Sequence, residues 1–83
     1  MKQVEWKKKA LRQLRKIKNK DDQRAIYTAV SALATFPDCD NVKKIKTTDR
    51  YRLRVGRWRV IFTEFLEIIT IEEVRKRNER TYR

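Results

Sequence analysis

Histidine is missing from these 83 residues, and cysteine, glycine and proline occur once each. Without histidine neither a structural zinc site nor a Cys–His nucleophile pair can be assembled, and the lone Cys39 has no intrachain disulfide partner. Such cysteine usage suits a reducing compartment, so a cytoplasmic location is expected. Long hydrophobic runs are also absent: nothing approaches the roughly 20 apolar residues that span a bilayer. Met1 to Lys9 is already charged, unlike the apolar run of a signal peptide. Acidic residues are scarce, 11 against 23 Lys and Arg, which leaves a formal charge of +12. Self-repulsion on that scale destabilises a compact state unless an anion answers it, and nucleic acid is the first partner to expect. What is present, 40% hydrophobic residues without repeat, linker or low-complexity stretch, is enough for one domain over residues 1–83.

Val4 and Trp6 alternate with polar neighbours and predict a first strand. From Lys8 onward Ala10, Leu11, Leu14 and Ile17 recur at helical spacing, a helix expected to stop around Asn19. Asp21 or Asp22 is a candidate cap for a second, antiparallel helix, in which Ile26, Ala29, Val30 and Leu33 form the apolar stripe. Phe36 and Pro37 end it, because proline cannot continue the helix ladder and disfavours helical geometry in the residue before it. The stripes of both helices are narrow, a width that fits a protein core better than a lipid surface.

The remainder reads as sheet. Val42 and Ile45 sit among Lys43, Lys44 and Lys46; Tyr51, Leu53 and Val55 alternate with Arg52 and Arg54; Trp58, Val60 and Phe62 alternate with Arg59 and Ile61. Gly56 with Arg57 supplies a tight turn needing positive φ, which makes an arginine-decorated hairpin of the last two runs. The apolar, β-branched stretch from Leu66 to Ile71 predicts a central strand covered on both faces. The resulting picture is a strand, a helical hairpin, and an antiparallel meander with the helices on one side.

Arginine concentrates in the second half, and its planar fork of donors matches phosphate. Period-two alternation gathers such side chains on one surface. The lysines of the first half (Lys7, Lys8, Lys9, Lys16, Lys18 and Lys20) read instead as solvated helix faces. Tyr51, Trp58 and Phe62 belong by their spacing to the core, whereas Tyr82, near a polar end, is a candidate for stacking on a base. Cleaving RNA without metal needs an activated 2′-hydroxyl, in-line geometry, charge neutralisation on the phosphate and a proton source. Arginines supply the neutralisation; a base would have to be a perturbed lysine, Tyr82, or a carboxylate such as Glu64 or Glu67. Glu72 and Glu73 are adjacent on a strand, so their side chains are expected on opposite faces, and no metal or cofactor is expected.

The helical hairpin, the run Tyr-Arg-Leu-Arg-Val-Gly-Arg-Trp-Arg-Val-Ile-Phe from Tyr51 to Phe62, and the basic tail from Arg75 to Arg83 together resemble the RelE/ParE toxin superfamily of bacterial toxin–antitoxin systems. The resemblance covers nearly the whole chain. It implies an α+β fold in the order β-α-α-β-β-β, a small, curved, mainly antiparallel sheet packed against an N-terminal helical hairpin. RelE-type members cut messenger RNA in the ribosomal decoding site, leaving a 2′,3′-cyclic phosphate and a 5′-hydroxyl, without metal or cofactor. Arg52 and Arg54 fall where RelE has lysines; Arg59 matches its strand arginine, Arg77 its tail arginine and Tyr82 its closing tyrosine, with Arg80 a competing match for Arg77. The resemblance thus implies Arg54, Arg59, Arg77 and Tyr82 at the reacting phosphate. Lys43, Lys44, Lys46, Arg52, Arg57, Lys76 and Arg80 are the expected RNA-backbone contacts. Because arginine keeps its proton, Arg54 is expected to act electrostatically. Expected partners are a cognate antitoxin, the ribosome and messenger RNA. ParE-like members share the scaffold but poison DNA gyrase, and a non-catalytic nucleic-acid binder on the same fold is the third possibility.

Overall fold

In a computed structural model of the chain, which describes residues 1–76, β1 (Gln3–Trp6) leads into α1 (Lys8–Arg15) and α2 (Lys20–Ser31), followed by a 3₁₀ turn (Ala32–Thr35). Four strands follow: β2 (Val42–Lys44), β3 (Arg50–Val55), β4 (Trp58–Phe65) and β5 (Ile68–Lys76). They form one sheet in the order β1-β5-β4-β3-β2, antiparallel throughout except that β1 pairs in parallel with β5. The α+β architecture is the expected one, with the segment around Val42 contributing a short edge strand of its own.

All the helical elements lie on one face. Ala10, Leu14 and Ile17 from the α1 region, with Ile26, Val30 and Leu33, meet Leu53, Val60, Phe62, Ile69, Ile71 and Val74 from the sheet, every one of them buried. These helix positions are the ones the 3.6-residue period selected, while Leu11 and Ala29 are half-buried at the margin. Phe62 is fully buried, stacked on Tyr51 at 5.4 Å and edge-on to Phe36 at 5.6 Å, and burial of such a ring stabilises by about 2–3 kcal/mol.

Three local expectations change. Asn19 does not close the first helix. Its carboxamide oxygen accepts from the amides of Asp21 (2.8 Å) and Asp22 (3.2 Å), so it caps the start of α2, and neither aspartate is the cap. Asp22 is thereby available to accept the indole Nε1–H of Trp58 at 3.1 Å, tying the helix to β4. Leu66 is not in a strand: it sits in the β4–β5 turn at φ 56, and β5 begins at Ile68. Nor is β5 covered on both faces. It is an interior strand between β1 and β4, but only Ile69, Ile71 and Val74 are buried, because the helices shield one side of the sheet alone.

The β3–β4 connection is as expected. Val55 pairs with Trp58, leaving Gly56 and Arg57 as a two-residue turn in which Gly56 takes φ +57.

Candidate functional site

With Tyr51, Leu53 and Val55 turned toward the helices, Arg50, Arg52 and Arg54 are left on the open face of the sheet. Register then aligns cations from different strands. Arg54 stands opposite Arg59, and Arg59 opposite Arg75; in the next row Lys43 stands opposite Arg52, Arg52 opposite Ile61, and Ile61 opposite Glu73. Direct cross-strand partners sit about 5 Å apart, where like charges destabilise a sheet. Lys43, Arg52, Arg54 and Arg59, with Asn41 and Val42, line a cavity of about 390 Å³ on this face. Ile61, between Arg52 and Glu73 in its row, is only 6% exposed although no helix covers it, as expected where long cationic side chains lay their apolar stems over a neighbour.

Asn41 had no signal of periodicity. It occupies the left-handed region at φ 64, which asparagine tolerates, and its carbonyl accepts the Arg54 amide at 2.9 Å, seating the β2 end against the arginine strand.

Carboxylates border the cations on one side. A bulge in β5, where Ile61 and Phe62 of β4 face Glu73 and Ile71, leaves Glu72 without a partner in the ladder. The expectation that Glu72 and Glu73 point apart is overturned by this extra residue. Glu72 accepts the Thr63 hydroxyl at 3.1 Å, Glu73 lies 3.5 Å from Arg50, and Thr63 and Arg50 are themselves cross-strand partners on the open face. Glu72 also pairs with Lys7 at 2.8 Å. Glu73 takes Nε of Arg75 at 2.8 Å and Nη2 at 3.3 Å, with Lys9 at 3.7 Å. The hydrogen bond from Arg75 and the charges of Arg75, Lys9 and Arg50 hold its carboxyl below the ordinary value of 4.5, against the opposing effect of desolvation.

The other expected backbone contacts are dispersed. Lys44 stands opposite Tyr51, on the helix side of the sheet; Lys76 stands opposite Trp58, likewise; Lys46 is in the β2–β3 loop, and Arg57 is at the hairpin turn beside the cavity. Arg77, Arg80 and Tyr82 lie outside the described residues. Neither suggested carboxylate base lines the arginine cavity: Glu64 is paired with Lys2 at 2.8 Å, and Glu67 is in the β4–β5 turn, at the opposite end of β4 from Arg59. Among the described residues no helix is long and apolar enough to cross a membrane.

A helix-backed sheet whose open face carries clustered guanidinium groups around a cavity defines a small basic α+β domain suited to holding an anion. The sequence matches the model of the ParE toxin of type II toxin–antitoxin systems over residues 4–81. The chain belongs to this family, within the RelE/ParE superfamily, and is a toxin of the type II toxin–antitoxin kind. Comparison with curated proteins gave no match. Among solved structures, the fold is similar to a chain of the archaeal RelE–RelB complex from Pyrococcus horikoshii OT3, at 24% identity and a TM-score of 0.79, covering 94% of this chain and 97% of that one. It is similar also to a chain of the RelB–RelE antitoxin–toxin complex from Methanococcus jannaschii (20% identity, TM-score 0.77, 95% of each chain). The isolated E. coli RelE toxin matches at 15% identity with a TM-score of 0.75, over 99% of this chain and 93% of that one.

Proposed function

We propose that this toxin is a ribosome-dependent messenger-RNA endoribonuclease that works in the cytoplasm without metal or cofactor. The observation that carries the reading is the convergence of Lys43, Arg52, Arg54 and Arg59 on one cavity of the open face. In-line attack of a 2′-hydroxyl on its own phosphodiester builds negative charge on the phosphate oxygens and on the leaving 5′-oxygen, and preorganised cations lower that barrier. Arg59 and, from the tail, Arg77 stabilise the phosphate; Arg54 assists electrostatically; Tyr82 stacks on or orients the base at the cut. Lys43 and Arg52 hold the backbone in the cavity, with Arg57 beside it. Lys44, Lys46 and Lys76 serve the RNA outside the cavity, and Arg80 is a further backbone contact. The chain's own antitoxin, encoded beside it and acidic in its binding segment, would cover the basic face, and complementary charge makes such an association fast and salt-sensitive.

Mapping of messenger-RNA ends with and without ribosomes tests the reading. Cuts ending in 2′,3′-cyclic phosphate that need ribosomes and vanish in an Arg59→Ala, Arg77→Ala double variant are expected; cutting undiminished in that variant overturns these roles. The matched ParE family description favours a second reading, poisoning of DNA gyrase. A supercoiling assay run beside the first separates them: gyrase inhibition with intact messenger RNA selects the second.

A further inference from the structure

The cationic surface of this domain does not end at the arginine face. Helix α1 has no acidic residue, and its N-terminal lysine, Lys7, offers no side-chain cap. The structure divides the cations around it into two kinds. Lys7 and Lys9 reach over to Glu72 and Glu73 of β5. Lys8, Arg12 and Arg15 are exposed and have no acidic side chain within ion-pair distance among the described residues. These three recur at i, i+4 and i+7, within an arc of roughly 60° on the helical wheel. Together with the half-buried Leu11 they line a groove of about 250 Å³.

Like charges at i,i+4 and i,i+3 destabilise a helix, and Lys8 in the first turn opposes its dipole, whereas Arg12 and Arg15 in the last turn complement it. In a helix of eight residues the like-charge repulsion falls where few hydrogen bonds oppose it. A surface serving solubility alone would intersperse both signs. Ala10 and Leu14, on the other side of α1, are buried in the core, so the stripe faces away from the sheet and from the arginine cavity.

We infer that the Lys8–Arg12–Arg15 stripe is a second RNA-binding surface, one that grips the phosphate backbone of a folded RNA while the open face of the sheet receives the strand to be cut. Two properties select this partner. The stripe has no aromatic residue on which bases could stack, so it reads backbone. Its only apolar member is the half-buried Leu11, too little for the apolar centre of a protein interface. The same poverty excludes insertion into a bilayer. Large exposed apolar side chains occur elsewhere, at Tyr27, Phe65, Leu66 and Ile68.

The inference rests on RNA being the target, and binding measured without cleavage separates the two. Fluorescence anisotropy of a labelled RNA duplex of about 20 base pairs, titrated with the full chain between 50 and 200 mM salt, gives the affinity and its salt dependence. A Lys8→Gln, Arg12→Gln, Arg15→Gln variant is expected to bind at least tenfold more weakly, with a log–log slope shallower by about 2–3, on the scale of roughly 0.9 per phosphate in a duplex. Lys8→Arg, Arg12→Lys, Arg15→Lys should stay within about twofold of the parent, since charge rather than shape carries the contact. Should the triple glutamine variant fail to give a native circular-dichroism spectrum, Arg12→Gln alone is read for a slope change near one. Unchanged duplex affinity and slope overturn the inference. So does a loss confined to phosphatidylglycerol vesicles or to an acidic peptide in parallel titrations. A parent chain that cuts no messenger RNA yet keeps the stripe-dependent slope sinks the nuclease reading and leaves the second surface standing.

Discussion

Replacing Arg54 and Arg59 together by glutamine removes half of the positive charge that lines the cavity, since Lys43 and Arg52 carry the rest. Each phosphate neutralised on single-stranded RNA contributes about 0.7 to the slope of log affinity against log salt. Four cavity cations therefore account for a slope near −2.8, or about 50-fold weaker binding between 50 and 200 mM salt. With two removed, roughly −1.4 and about sevenfold remain. The folded state should hardly notice. Arg54 is exposed and Arg59 half-buried, they face each other across β3 and β4, and relief of that like-charge pair offsets part of any lost contact, keeping the change within about 1 kcal/mol. A fluorescein-labelled RNA 12-mer read by anisotropy at four salt concentrations gives both slopes. Arg24→Gln, whose guanidinium pairs with Asp21 on α2, is the control and should leave the line where it was. Parallel lines for parent and double variant refute the claim that the cavity is where phosphate is held.

Other perturbations read single contacts. Glu73→Gln should destabilise by about 1 kcal/mol at pH 7 in urea unfolding, discounted because Arg75 and Lys9 are each 61% exposed and screened. Because the Glu73 carboxyl is lowered in the folded state, its contribution is full above the ordinary value of 4.5 and is lost as pH falls through the depressed folded value. The gap between parent and variant should be flat from about pH 5 to 8 and close below that range; a gap that widens on acidification refutes the assignment. Asn19→Ala removes the α2 cap and should cost about 1 kcal/mol, with Asn19→Asp close to the parent. Gly56→Ala should cost about 1 kcal/mol for a backbone reason alone, since φ is +57 and a Cβ there would meet nothing within 4 Å; a midpoint unchanged in urea argues against a positive-φ turn.

How far the sequence could be read depended on the range of the interaction concerned. Ala10, Leu14, Ile26, Val30 and Leu33 were legible as core because a helix repeats every 3.6 residues whatever it packs against. The hairpin was legible because Gly56 is the one residue there that adopts positive φ without strain. Short-range signals misled where one residue type serves two purposes. Asn19 suits a helix stop and a helix start, and only the geometry of the following amides shows which it is. Leu66 looks like strand by composition, yet its backbone makes the turn.

By itself, then, the chain determined its elements, its apolar faces, its excess of +12 and the alternation that puts Arg52, Arg54 and Arg59 on one surface, because each follows from backbone periodicity and composition. Only the tertiary structure decided the rest. It brought Lys43 and Asn41 to the arginine cavity, removed Glu64 and Glu67 from it, and set Glu72 and Glu73 side by side through a one-residue bulge. It also turned Lys8, Arg12 and Arg15 away from every carboxylate on β5, while Lys7 and Lys9 found partners there. Those outcomes depend on strand register and on which face the helices cover, and both are fixed by contacts between residues far apart in the chain.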